Sequence, residues 1–174
     1  MPAHGIIWKD YIADIIETYK DIATQKAANK AVIVYESVWK HTQQIAESLA
    51  EGFSDADMDV KVYQLSDTKS SIVMREIMDA KVVCIGSGTY NNVMAPSVAA
   101  FLEHIRPCKF KNKKGLAFAA YGWFNQVAKE IDTRMQQSGI ESCHDVINQC
   151  YTPSDDQLED YFNVAKEIAK KCQE

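Results

Sequence analysis

Residues 31–53 read AVIVYESVWKHTQQIAESLAEGF and join two different hydrophobic patterns through a short turn. The run AVIVYE is apolar with almost no polar alternation, which is typical of a strand buried on both faces of a sheet. The segment after the turn has the spacing of an amphipathic helix, predicted over residues 41–53. The turn SVWKHT carries hydroxyls at Ser37 and Thr42, which suit either an ordinary helix cap or a phosphate-binding helix start.

The alternation of strand and helix repeats along the rest of the chain. Further apolar runs predict strands at 59–65, 81–87, 115–121 and 144–150, and amphipathic segments predict helices at 70–79, 96–105, 125–138 and 155–172. The run at 59–65 alternates apolar and polar residues, so we expect it at an edge of the sheet. Strands that are each followed by a helix predict an α/β fold, with a doubly wound parallel sheet and helices on both faces.

Local signals support the predicted helices. Pro96 fits the first turn of its helix, where a missing N–H costs nothing, and Ser154 with Gln157 forms a capping-box pattern. Residues 12–23 have one apolar stripe and predict an extra N-terminal helix before a polar linker. We therefore divide the chain into an N-terminal junction segment and helix, residues 1–29, and a main domain, residues 30–174.

The net charge, the length of the apolar runs and the cysteines exclude several functional classes and indicate a compartment. A net charge of −5 argues against a nucleic-acid partner, which would need a basic face. No apolar run is long enough to cross a bilayer, and the first residues lack a secretory signal, so we expect a cytoplasmic protein with no membrane partner. The cysteines are odd in number and form no C-x-x-C pair, which predicts reduced thiols rather than a zinc site or a disulfide framework.

Three turns are expected at the carboxyl edge of the sheet, where parallel α/β sheets bind ligands. They are SVWKHT, SGTYNN (87–92) and YGWFNQ (121–126), and the second also suits a plain surface loop. Trp39, Tyr90 and Trp123 would then meet beside the anion site, which favours a planar heterocycle with a phosphate tail, such as flavin mononucleotide (FMN). Phe124 suits a cap over the core as well as it suits a contact with a ligand.

The chain resembles the flavodoxin-like domain of A-type flavoproteins, also called flavodiiron proteins. The segment YESVWKHTQQIAESLAEGF is similar to that family's phosphate loop and first helix, GSGTYNNVMAPSVAAFLEHI to its flavin-ring loop, and AFAAYGW to the strand and turn that face the ring. The resemblance runs over nearly the whole chain. It implies a flavodoxin-like five-stranded sheet in the order 2-1-3-4-5, and an FMN-binding electron-transfer domain of an oxidoreductase system.

The turns and the resemblance together give one set of expected FMN contacts. The amides of residues 38–42 and the first turn's hydroxyls would hold the phosphate, aromatic side chains would enclose the ring, and Asn91 and Asn92 would meet its polar edge. The complete set is Ser37, Val38, Trp39, Lys40, His41, Thr42, Thr89, Tyr90, Asn91, Asn92, Tyr121, Gly122, Trp123, Phe124 and Asn125.

Some residues of these loops depart from the family's pattern. A glycine or other small residue is common near Lys40, and a family glycine often marks a positive φ, where a side chain costs about 1–2 kcal/mol. Gly88 replaces a usual proline, Val93 replaces a common glycine, and the bulky Phe124 could crowd the ring. We therefore expect a phosphate-binding turn of altered composition.

The segment AHGIIWKDYIADIIETYKDIA (3–23) resembles the junction between the family's diiron domain and its flavodoxin domain. In that family the histidine of HGxIW is the last ligand of the iron pair, and here it is His4. The other ligands are missing from this sequence, so we expect no metal site and interpret His4 as a vestige. The resemblance implies a redox partner such as rubredoxin or a chain with a diiron domain, and a possible homodimer.

Two alternatives remain open at this point. The altered loops also fit a flavin-free flavodoxin-like module that acts through protein–protein contacts. The chain also fits one half of a split flavodiiron oxygen or nitric oxide reductase. A serine or cysteine hydrolase is disfavoured, because the histidines lie in unrelated contexts and no nucleophile turn is present.

Overall fold

The computed structural model describes residues 5–173, and its helices and strands lie close to the predicted positions. The predicted His4 vestige lies outside the described residues. The helices are Ile12–Thr24 (α1), His41–Asp55 (α2), Ser70–Met78 (α3), Pro96–Ile105 (α4), Val127–Gln137 (α5) and Asp155–Gln173 (α6). The strands are Lys30–Glu36 (β1), Asp59–Gln64 (β2), Val82–Tyr90 (β3), Val93–Met94 (β4), Lys114–Tyr121 (β5), Glu141–Ser142 (β6) and Ile147–Cys150 (β7).

The sheet has the predicted flavodoxin-like topology. Its strand order is β2-β1-β3-β5-β6, and β7 also pairs with β5. The fourth predicted strand is β5 and the fifth corresponds to β6 and β7, so the predicted order 2-1-3-4-5 is confirmed. The prediction of one strand over 144–150 is wrong in its bounds. The fifth position holds two short strands, because β6 pairs with the start of β5 and β7 with its end, while the chain between them leaves the ladder.

Two hydrophobic clusters fill the two faces of the sheet. Alternate residues of β1 supply both: Val32 and Val34 contact the α3–α4–α5 side, whereas Ala31 and Ile33 contact the α2–α6 side. Every residue of β1 is buried, as its unbroken apolar pattern predicted. The alternating β2 lies at the edge of the sheet, which confirms the expectation from its pattern.

Helices α2 and α6 approach each other at Gly52. A Cβ added to Gly52 would lie 2.2 Å from the Phe162 carbonyl oxygen and 2.8 Å from the Ala165 Cβ. No side chain fits there without moving one of the helices. Residue 52 therefore sets the spacing of the helix pair that covers one face of the sheet.

Helix α1 lies outside both clusters. It contributes no buried residue, and it exposes an apolar stripe that includes Ile12, Ile16 and Tyr19. The Gln25 side chain links its end to the domain by accepting a hydrogen bond from the Lys111 amide at 2.8 Å. No helix in the described part of the chain is both long and apolar enough to span a membrane.

Candidate functional site

A cavity of about 380 Å³ lies at the carboxyl ends of β1, β3, β5 and β7. This is the edge of the sheet where the order reverses between β1 and β3, the usual ligand position in open α/β sheets. The cavity lies between turns rather than inside the core. Its lining residues are Ser37, Val38, Trp39, His41, Thr42, Gly88, Thr89, Tyr90, Ala120, Tyr121, Gly122, Trp123 and Tyr151.

The β1–α2 turn presents a helix start to this cavity. Lys40 adopts a left-handed conformation, with φ 65° and ψ −3°, and α2 begins at the next residue without a side-chain cap. The first N–H groups of a helix have no partner within it, so these amides can bind an anion. Thr42 is only 1% exposed and lines the cavity, which places its hydroxyl beside them.

A buried carboxylate anchors this turn from behind. Glu36 Oε1 accepts hydrogen bonds from the Ser37 amide at 3.1 Å and from Gln64 Nε2 at 3.0 Å, and Oε2 accepts one from the Ser97 hydroxyl at 3.0 Å. Glu36 thereby ties the ends of β1 and β2 to the first turn of α4. Burial, together with the Glu36 carboxylate, raises the pKa of the Tyr90 hydroxyl.

The second turn is a β-hairpin and not a long loop, which corrects one of the two interpretations of SGTYNN. Strand β3 continues through Tyr90 and pairs with β4, and Asn91 and Asn92 form the turn with φ values of 45° and 67°. Asparagine tolerates positive φ, and two such residues between paired strands match the twist of a tight hairpin. Thr89 and Tyr90 line the cavity, whereas the two asparagines do not.

The third turn divides its side chains between the cavity and the core. Tyr121, Gly122 and Trp123 line the cavity. Phe124 instead packs against the hydrophobic cluster of α3, α4 and α5, so it caps the core and does not crowd the cavity. Asn125 is exposed and outside the lining, and α5 begins only at residue 127 because residues 124–126 remain in the turn.

Sequence reasoning missed a fourth segment, between β7 and α6. Tyr151 has a positive φ of 56°, and its amide donates to the Tyr121 carbonyl at 2.8 Å, which brings its side chain into the cavity wall. Thr152 Oγ1 lies 3.1 Å from His41 Nε2 and connects this segment to the start of α2. The sequence signal was present, since an aromatic residue directly follows the fifth predicted strand at the same sheet edge.

Most of the expected contact residues are brought together at this cavity. Those that lie outside its lining are Lys40, Asn91, Asn92, Phe124 and Asn125, whereas Gly88, Ala120 and Tyr151 line it without having been predicted. Trp39 and Trp123 stand at the mouth and are 80% and 78% exposed. Among residues 5–173, no group of three or more His, Cys, Asp or Glu side chains could hold a metal ion.

Comparison with known proteins places these features in a family. The family model described as flavodoxin matches residues 33–172. The nitric oxide reductase of Moorella thermoacetica is 39% identical over 140 residues, which are 80% of this chain and 35% of that protein.

Superposition on solved structures agrees with these sequence comparisons. Rubredoxin oxygen:oxidoreductase from Desulfovibrio gigas superposes with a TM-score of 0.89 and 32% identity, over 92% of this chain and 40% of that one. The flavodiiron protein from Giardia intestinalis superposes with a TM-score of 0.91 and 25% identity, over 98% of this chain and 43% of that one. The chain spans less than half the length of the curated relatives it matches.

Proposed function

The chain belongs to the flavodoxin family and is a flavodoxin-like domain of the A-type flavoprotein (flavodiiron) type, and we propose that it binds FMN and relays electrons. The observation that carries this proposal is the cavity, which combines an uncapped helix start with aromatic walls at the carboxyl edge of the sheet. A phosphate and a planar ring need those two features side by side.

The residues of the cavity fit both parts of FMN. The amides of residues 38–42 at the start of α2, with the hydroxyls of Ser37 and Thr42, would hold the phosphate. The positive end of the helix dipole would stabilise its charge. Glu36 would hold these donors in place, because its carboxylate already accepts hydrogen bonds from the Ser37 amide and from the side chains of Gln64 and Ser97.

The aromatic residues would shape the site for the ring. Trp39, Tyr90 and Trp123 would enclose it, and Tyr151 adds a fourth aromatic side chain to the wall. The bound flavin would supply the redox chemistry, since a flavin can exchange electrons singly as well as in pairs. The protein's part would be to exclude water from the ring and to surround it with apolar faces and few charges, an environment that disfavours added negative charge.

A second redox protein is required for a relay. We propose rubredoxin or a chain with a diiron domain, because the related solved structures are named rubredoxin oxygen:oxidoreductase and flavodiiron protein. The split flavodiiron reductase is the form of this proposal in which the diiron domain belongs to another chain. A homodimer and a cytoplasmic location stay predictions from the sequence.

Binding of FMN and of riboflavin to the purified chain tests the proposal. Quenching of flavin fluorescence should give a Kd for FMN at least about tenfold below that for riboflavin, because riboflavin lacks the phosphate. Thr42→Val should weaken FMN binding with little effect on riboflavin, whereas the exposed Thr133→Val on α5 should change neither. A chain that leaves FMN fluorescence unquenched would contradict the proposal and favour the flavin-free interaction module.

A further inference from the structure

We infer that Asn92 is a positioning residue that holds the Trp123 indole as a wall of the cavity. The inference rests on the proposed FMN site but assigns Asn92 a different role from contact with the polar edge of the ring. Asn92 Oδ1 accepts a hydrogen bond from Trp123 Nε1 at 3.0 Å, and of these two residues only Trp123 lines the cavity. Asn92 therefore acts on a ligand through Trp123.

The exposure of Trp123 explains why it needs such a contact. The residue is 78% exposed, and it follows Gly122 in a turn between β5 and α5. A large side chain with so little packing would populate several rotamers in solution. One hydrogen bond donated by the indole N–H restricts those rotamers and keeps the indole face available to the cavity.

Both ends of the hydrogen bond are attached to rigid parts of the fold. On one side the hairpin is paired through Tyr90 and Val93, and the Ser87 hydroxyl accepts a hydrogen bond from the Ala95 amide at 2.8 Å at its base. On the other side, Phe124 is inserted against the core directly after Trp123. Bonds between rigid segments keep their geometry, so the indole is oriented before any ligand arrives.

A further contact joins the same two segments closer to the sheet. The Thr89 hydroxyl lies 3.4 Å from the Phe124 carbonyl oxygen, at the limit of a hydrogen bond. The Asn92–Trp123 hydrogen bond is shorter and lies farther from the sheet than the Thr89–Phe124 contact. It therefore determines the position of the indole. Trp39, which is 80% exposed on the opposite turn, gives an internal comparison within the same cavity.

The turn offers closely matched variants for a test. Asn92→Gly removes the acceptor while keeping a residue that accepts positive φ, so the hairpin is preserved. Asn91→Gly makes the same backbone change one residue earlier and leaves the hydrogen bond intact. Asn92→Asp retains an oxygen acceptor and serves as the conservative rescue.

The first measurement uses the full chain without FMN. Labelling with ¹⁵N-tryptophan gives indole signals for the three tryptophans, and Trp123→Phe assigns one of them. We expect the Trp123 indole proton of the wild type to exchange with water several-fold more slowly than that of Trp39. Asn92→Gly should abolish this difference without moving the Trp39 signal, and Asn91→Gly and Asn92→Asp should retain it.

The second measurement is the binding of FMN to the same proteins. Asn92→Gly should raise the Kd about two- to tenfold, the range expected for one lost hydrogen bond, and should raise the reduction potential of the bound flavin. The structure places Asn91 outside the cavity lining, so Asn91→Gly should leave both unchanged. An unchanged Trp123 signal in Asn92→Gly, or an altered signal with wild-type Kd and potential, would overturn the inference while the proposed function stands. If the wild type binds no FMN, the proposed function fails and the inference fails with it.

Discussion

Lys40 has the backbone conformation that glycine usually occupies. Its φ of 65° lies in the left-handed region, where a side chain meets the neighbouring carbonyl oxygen, and the turn still forms because Glu36 holds it from behind. The expectation of a positive φ near this residue is confirmed. Lys40 is exposed and outside the cavity lining, so its side chain gains little from packing in exchange for this strain.

Replacing Lys40 by glycine should stabilise the protein by about 0.5–1 kcal/mol. The strain of about 1–2 kcal/mol is relieved, and part of that gain is lost to the greater freedom of glycine in the unfolded chain. Urea unfolding of Lys40→Gly and Lys40→Ala measures the difference. Lys40→Ala keeps the strained φ and should show no comparable gain, so equal stabilities of the two variants would contradict this explanation.

Helices α2 and α6 form the element pair on which one face of the sheet depends. Their contact at Gly52 is so close that an added Cβ would overlap the Phe162 carbonyl oxygen. Helix α6 begins at the predicted residue, and its first turn has the predicted pair of contacts: Ser154 Oγ accepts a hydrogen bond from the Gln157 amide at 3.3 Å, and Gln157 Oε1 accepts one from the Ser154 amide at 3.0 Å. The predicted capping box is therefore confirmed.

Gly52→Ala should destabilise the protein by about 1–3 kcal/mol, the usual cost of overpacking. Helix propensity alone predicts the opposite, a gain of roughly 1 kcal/mol, so the sign of the effect separates the two causes. The free energy of unfolding from urea titration is the measurement. Ser54→Ala, at an exposed position of the same helix, is the control and should be neutral or slightly stabilising; a stabilised Gly52→Ala would show that the helices can separate at no cost.

Over residues 5–173, the molecule consists of a sheet with two covered faces and one helix, α1, outside them. Helix α1 contributes no buried residue. Directly after it, the Gln25 side chain accepts a hydrogen bond from the Lys111 amide of the domain. The division at residues 29 and 30 is a proposal that this arrangement supports. The apolar stripe of α1 is exposed, and the domain does not need it to complete its core.

A chain shortened to residues 28–174 should fold and bind FMN within about twofold of the full chain's affinity. Little buried apolar area is lost, so the thermal midpoint should fall by no more than about 4 °C, which corresponds to about 1–2 kcal/mol for a domain of this size. Thermal unfolding followed by circular dichroism, with the full chain measured in parallel, provides the comparison. Loss of cooperative unfolding in the shortened chain would show that α1 is part of the folding unit.

Apart from the β3–β4 hairpin and the two short strands at the fifth position, the sequence by itself determined where strands and helices lie, which strands are central, and which edge of the sheet carries the cavity. These features follow from the periodicity of apolar residues over short stretches, which the backbone geometry of each element imposes directly. Only the tertiary structure decided that Phe124 enters the core, that Tyr151 enters the cavity wall, and that Glu36 and Asn92 hold the residues around it. A side chain in a turn has no periodic pattern, so its direction depends on contacts with segments that are distant in the chain.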